Sequence, residues 1–276
     1  MKSVFSIYFA VLVAIVPSGT AAREGGACDG YRFERNIAYR TSDDPYARKM
    51  CRVDVAVPVG VERPVPVVVW FHGGGLTRGR REKPQTLLRS GCVVMGVEYR
   101  LSPQVAVPEI IDDAAAAVAW AFAHAADYGG DPAKIYIAGH SAGGYLVNMI
   151  GLDRSRLARY GCDADALAAV IPLSGQAITH FEQRRTQGID PLRPLVDSLA
   201  PLYHVRGDAP PMLIVSGDRE LELFGRYEET AYLRRMLLLC GHDRITFYEL
   251  DGFDHVGMLE PAFLLLNRYI ETRERR

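Results

Sequence analysis

The chain has 276 residues, 49% of them hydrophobic and 24% charged, ordinary usage for a globular protein large enough to bury a core without staples. Its formal net charge is -1, with no long block of like charge, which excludes a polybasic protein held on nucleic acid or an anionic membrane by its overall field. The N-terminus stands apart. Lys2 precedes an apolar run over residues 4–16, which Pro17, Ser18 and Gly19 break before the small residues Thr20, Ala21 and Ala22. That is the layout of a secretory signal peptide over residues 1–22, and the apolar run falls short of the roughly 20 residues a membrane span needs. The expectation is a secreted or periplasmic domain, residues 23–276, with no stable membrane association after cleavage. An uncleaved anchor is the alternative. An exported chain can form disulfides, and of the five cysteines, Cys28 and Cys51 are the candidate pair. No pair has the C-x-x-C spacing of a zinc ribbon or redox dithiol.

Residues 36–39 and 52–57 are predicted as strands of an antiparallel edge. Residues 65–71, rich in valine, form a buried strand, and residues 92–97 another. Residues 110–126 are alanine-rich and lack Gly or Pro, which predicts a buried helix. A strand over 134–138 leads into a helix over 142–150. Further strands fall at 168–171, closed by Pro172, and at 212–216. A helix over 226–239, a strand over 246–250 and a helix over 261–270 complete the chain. Strands alternating with helices predict a mostly parallel sheet covered on both faces. The irregular stretch over 175–208 holds three prolines and sits between two strands. Long irregular segments in compact domains are usually functional, so a short cap over a site is expected there.

The sharpest local signal is Gly139-His140-Ser141-Ala142-Gly143. It matches G-x-S-x-G, in which glycines relieve backbone crowding at a strand-to-helix turn and leave a serine Oγ exposed at a helix N-terminus. The strand before it and the helix after it supply the context this motif needs. The second signal is His72-Gly73-Gly74-Gly75, directly after the strand at 65–71. A glycine loop there can aim backbone N–H groups at an oxygen that gains negative charge during reaction. A phosphate-binding loop would end in Lys followed by Ser or Thr, and Leu76-Thr77 does not. The expected donors are the N–H groups of Gly73, Gly74 and Ala142.

With Tyr99-Arg100-Leu101-Ser102-Pro103, Asp112-Asp113-Ala114 and Gly129-Gly130-Asp131-Pro132, these motifs form an ordered series covering most of the chain beyond Arg52. The series resembles the esterase/lipase branch of the α/β-hydrolase superfamily, near its hormone-sensitive-lipase-like and bacterial feruloyl-esterase-like groups. Glu98 stands where that branch more often has Asp or Asn. The resemblance implies the α/β-hydrolase fold, no cofactor and no metal. It also implies cleavage of small-molecule carboxylic esters through an acyl-enzyme.

A serine hydroxyl needs a general base, and the base an orienting acid. Chain order in this fold is Ser, acid, His. Of the seven histidines, His180, His204, His242 and His255 follow Ser141. His255 lies in a glycine-flanked loop after the last strand, where the family carries its catalytic histidine. His242 lies in a helix-to-strand turn, and His180 and His204 lie in the expected cap. For the acid, both Asp218 and Glu220 follow the strand at 212–216. The family register, three positions after Gly217, selects Glu220 and leaves Asp218 as a turn residue or the alternative acid. Gln176, Thr179, His180 and Phe181 are expected to line the substrate pocket. Tyr99-Arg100 is expected to bury a charge paired with Asp112 or Asp113, and Trp70 and Trp120 to pack in the core. The short, weakly apolar cap favours small or short-chain acyl esters. An amidase, formamidase or exopeptidase on the same triad, and a non-catalytic binding protein of this fold, are the rival readings.

Overall fold

The computed structural model describes residues 30–223 and 225–275. The signal-peptide region and Cys28 lie outside the described residues, and so, therefore, does the expected Cys28–Cys51 pairing. Eight strands form one sheet: β1 (Tyr31–Ala38), β2 (Arg52–Pro58), β3 (Val65–Phe71), β4 (Val93–Val97), β5 (Gly130–His140), β6 (Ala169–Leu173), β7 (Met212–Gly217) and β8 (Ile245–Leu250). Their order across the sheet is β1-β2-β4-β3-β5-β6-β7-β8. β2 runs antiparallel to both β1 and β4, and every later pairing is parallel. The antiparallel edge and the parallel body both agree with the pattern expected from the sequence, with β1 and β5 longer than expected. This is the α/β-hydrolase fold.

The helices are α1 (Pro45–Met50), α2 (Val107–His124), α3 (Ala142–Leu152), α4 (Arg154–Ala158), α5 (Phe181–Thr186), α6 (Arg226–Leu239) and α7 (Leu259–Glu274). Strand side chains alternate between two cores. Val67, Val69 and Phe71 of β3 pack with Ile110, Ala114, Tyr145 and Leu146 on one face. Val68 and Trp70 pack with Phe263 and Leu266 of α7 on the other. A strand buried on both faces has no polar side to show, which is why β3 reads as an unbroken apolar run. Trp70 meets Phe263 edge-on with ring centroids 5.2 Å apart.

The buried charge expected at Arg100 is paired with Asp113. Arg100 Nε and Nη2 donate to the two carboxylate oxygens at 2.8 and 2.9 Å, and Arg40 Nη1 adds a third bond at 2.6 Å. Asp113 is fully buried, so this forked pairing offsets a desolvation cost that a single partner would meet less well. It anchors the start of α2 beneath the loop that follows β4.

The stretch between β6 and β7 contains α5 and a short 3₁₀ turn, Pro201–His204. It is sewn to the body at several points. Tyr145 of α3 donates to Leu199 O at 2.7 Å and Ser102 Oγ to Glu182 at 2.5 Å, while the bond from Leu202 N to Ala177 O at 2.9 Å closes the segment on itself. The segment therefore lies over the ends of β3 and β5 where the two motifs meet. Among the described residues, no helix is long and apolar enough to cross a membrane.

Candidate active site

The turn between β5 and α3 carries Ser141 at φ 56° and ψ -114°, a conformation an L-residue adopts only under constraint. The constraint is close packing of backbone. A Cβ on Gly139 would lie 2.5 Å from the Gly143 carbonyl carbon, and one on Gly143 would lie 2.1 Å from Phe71 O. Both glycines are thus required by contact, and the turn they permit projects Ser141 from the carboxyl end of β5. The glycine loop after β3 passes beside it, with the Cβ position of Gly73 3.4 Å from Ser141 Cβ. Ala142 is the first residue of α3, where an N–H has no acceptor within the helix.

His255 faces the serine. Its Nε2 is 2.9 Å from Ser141 Oγ, and its Nδ1 is 2.8 Å from Glu222 Oε2. A carboxylate accepts, so Nδ1 carries the proton and Nε2 is the free acceptor facing the serine hydroxyl. The acid beside His255 is therefore Glu222, not Glu220 or Asp218. After β7 the chain makes a single helical turn, in which Leu221 N and Glu222 N both donate to Asp218 O at 3.0 and 2.9 Å. That turn carries Glu220 out to solvent and brings Glu222 back over the strand end. There Gly217 N donates to its Oε1 at 3.1 Å and Leu223 N to its Oε2 at 3.0 Å. Asp218 organises the turn: its carboxylate accepts from Glu220 N at 2.8 Å and from Gly252 N at 2.7 Å, tying the acid's turn to the loop of His255. The sequence hinted at Glu222 only through a third carboxylate in the run Asp218-Arg219-Glu220-Leu221-Glu222.

Two further residues support the histidine, and the motifs gave them no such role. Ser174, just past β6, is fully buried at φ 48°. Its Oγ lies 2.9 Å from His255 Nδ1, and its hydroxyl favours the charged form of Glu222. His140 sits beneath the site with Nε2 2.8 Å from the carbonyl oxygen of His255. The carbonyl accepts, so the proton of His140 is on Nε2. Burial, and next the neighbouring His255, push the pKa of His140 down to about 4. It is thus a neutral donor at ordinary pH. For Glu222, burial pushes the pKa up, but the bonds from His255 and Ser174 outweigh it and hold it down at about 2. The acid is ionised wherever His255 can act as a base.

A cavity of about 800 Å³ opens beside this arrangement, between the cap segment and the start of α6. Gln176 and Phe181 line it, as expected from the sequence. Phe181 also meets the glycine loop: a Cβ on Gly75 would come within 2.9 Å of its ring. His180 does not line the cavity. It is buried, and its Nδ1 accepts from Glu182 N at 3.1 Å as the cap of α5. Thr179 likewise turns inward, to Asp197 at 2.7 Å.

The BD-FAE family model matches residues 53–164, and that of the prolyl oligopeptidase family matches residues 109–223. These matches support a place on the esterase/lipase branch of the α/β-hydrolase superfamily. This α/β hydrolase is 42% identical over 118 residues to carboxylesterase NlhH of Mycobacterium tuberculosis; the match covers 41% of this chain and 35% of NlhH. The chain thus matches only about a third of the length of that relative. Among solved structures it is similar to a truncated carbohydrate esterase from gut microbiota, with a TM-score of 0.73 and 18% identity over 92% of this chain and 100% of that one. It is also similar to Thermogutta terrifontis esterase 2 phosphoramylated by tabun, with a TM-score of 0.71 and 22% identity over 90% and 96% of the two chains. At these identities the structural likeness speaks for the fold.

Proposed function

We propose that this α/β hydrolase cleaves carboxylic esters by two-step acyl transfer, with Ser141 as nucleophile, His255 as base and Glu222 as the orienting acid. The observation that carries this reading is the unbroken line of contacts from Ser141 Oγ through His255 to Glu222, at 2.9 and 2.8 Å. His255 Nε2 takes the serine proton as Oγ attacks the ester carbonyl. Negative charge then grows on the carbonyl oxygen, and the N–H groups of Gly73, Gly74 and Ala142 are its proposed donors. The ionised Glu222 stabilises the imidazolium through Nδ1, and Gly217 N and Leu223 N hold the carboxylate in place. His255 Nε2–H next protonates the leaving alkoxide, the alcohol departs, and water attacks the acyl-serine by the same proton path in reverse.

The short cap supports small acyl groups, as do the propionate and butyrate found bound in two of the Thermogutta esterase 2 structures. A p-nitrophenyl ester series from acetate to palmitate tests the reading. Activity on the short esters that disappears in Ser141→Ala is the expected result. A protein that hydrolyses none of them and takes no fluorophosphonate label would overturn it.

One observation favours a second reading, amide or peptide cleavage on the same triad: the prolyl oligopeptidase match over residues 109–223. Matched ester and amide substrates of one acyl group separate the two by their relative kcat/KM. The leader-like residues 1–22 support export, with the mature chain beginning at Arg23. N-terminal sequencing of the protein recovered from a secreting host checks the cleavage point.

A further inference from the structure

The cavity beside the triad is lined by two buried arginines that make no direct ion pair with a carboxylate. Arg184 on α5 and Arg226 at the start of α6 both line it, each only 3% exposed. Among the described residues, neither guanidinium has a carboxylate oxygen within 4.0 Å. Their hydrogen bonds go to backbone instead. Arg184 Nη1 donates to Arg193 O at 2.5 Å, and Arg226 Nη1 donates to Ser174 O. The Nε of each is buried without a partner.

The nearby carboxylates are committed elsewhere. Glu222 is bound to His255. Glu229 Oε2 accepts the backbone N–H groups of Ala177 and Ile178 at 3.0 and 3.5 Å, and Glu228 stands exposed at the rim. Burying a guanidinium without a hydrogen-bonded counter-charge is costly, and a carboxylate placed directly against it offsets that cost. Burial lowers the pKa of both arginines and outweighs the charge of Glu229, which acts on both, and that of Glu222 on Arg226; the charge of Arg184 lowers that of Arg226 further. They repel one another across the space they line. The rest of the wall is largely apolar, with Ile178, Phe181 and Leu202 prominent. The cavity also communicates with the chemistry: Arg226 holds the carbonyl of Ser174, whose Oγ touches His255.

We propose that this cavity selects esters that bear a carboxylate, seated against the guanidinium groups of Arg184 and Arg226 with its apolar stem along Ile178, Phe181 and Leu202. The proposal rests on the ester-hydrolase reading above and names its substrate class. The carboxylate can belong to the acyl half or to the alcohol half of the ester, and two pairs of substrates tell these apart. Monomethyl adipate against methyl hexanoate places the charge on the acyl side. 4-Acetoxybenzoate against methyl 4-acetoxybenzoate places it on the alcohol side.

In wild type, kcat/KM for the charged member is expected to exceed that of its neutral partner by about tenfold or more in one pair, the scale of a charge-assisted hydrogen-bonded pair. Arg184→Gln is expected to erase most of that ratio and Arg184→Lys to keep part of it, with active sites counted by fluorophosphonate so that misfolded protein does not enter the comparison. A neutral ester preferred in both pairs, or a ratio that Arg184→Gln leaves intact, overturns the proposal. Binding reads it without turnover. On Ser141→Ala, titration calorimetry should show 4-acetoxybenzoate or monomethyl adipate binding at least tenfold more tightly than its neutral partner. Absence of ester hydrolysis together with this binding preference would count against the ester reading while sustaining the carboxylate site; hydrolysis without any preference would do the reverse.

Discussion

The turns that carry Ser141 and Glu222 stand at the carboxyl ends of two strands of one sheet, yet they are encoded in different ways. At Ser141 the backbone itself restricts the sequence. A side chain on Gly139 or Gly143 would collide with main-chain atoms, so only one residue type fits at two of five positions. At Glu222 the backbone makes an ordinary turn that many residues satisfy. What singles out Glu222 is the reach of a side chain to His255, held by bonds from Gly217 N and Leu223 N. Crowded backbone writes a motif, whereas side-chain reach depends on where another part of the chain arrives, here the loop at residues 251–257.

Substitutions at the two turns should therefore behave differently, and the largest effect belongs to the elbow. Ser141→Ala removes the nucleophile with no change in backbone demand, so kcat should fall by about 10⁴-fold or more at unchanged Tm. An active Ser141→Ala protein would remove the basis for the triad. At the acid turn, Glu222→Gln keeps the shape and loses the charge that stabilises imidazolium. A drop in kcat on the order of 10³- to 10⁴-fold is expected. Glu220→Gln, on an exposed side chain, should stay within about twofold of wild type. If Glu220→Gln is the one that loses activity, the turn moves on substrate binding and the contact to Glu222 is not the working one.

Most of the fold was legible in the sequence. The alternation of apolar runs and helical stretches located every parallel strand, because buried strands and amphipathic or alanine-rich helices differ in period and composition. Ser141 and His255 were legible from motif and chain order. The acid was not, since the family register three positions after Gly217 lands on Glu220, which the turn here carries to solvent while Glu222 returns to His255. His180 was expected in the pocket from its position after β6, but its ring caps α5 instead. Ser174 and His140 carried no sequence signal for contact with His255, because their partners lie 81 and 115 residues away.

Ser174 sharpens the comparison at the acid. Its Oγ lies against His255 Nδ1 and its hydroxyl favours the charged form of Glu222, so it supports the pair without touching Ser141 or the substrate. Ser174→Ala should lower kcat by about tenfold, the worth of one hydrogen bond to a charged group, with KM little changed. A structural role alone would lower Tm and leave kcat per active site untouched.

The smallest expected effect tests the elbow from beneath. His140 is kept neutral with its pKa near 4, below the ordinary value near 6.5. As pH falls from about 6.5 to 4, the unfolded chain takes up a proton there that the folded chain refuses. The unfolded state binds more protons in that window, so stability rises with pH across it and falls as the medium is acidified. His72, pushed down to about 4 by burial, acts in the same direction. His140→Gln removes one of these titrations but keeps an N–H donor for the carbonyl of His255. His140→Leu removes both. Tm measured from pH 7 to pH 4 should therefore fall less steeply in both variants than in wild type. The drop in kcat, about threefold for one neutral hydrogen bond, should appear in Leu and be largely absent in Gln. Equal slopes in all three proteins would mean that His140 takes up its proton at the same pH folded and unfolded, so that burial does not hold it neutral.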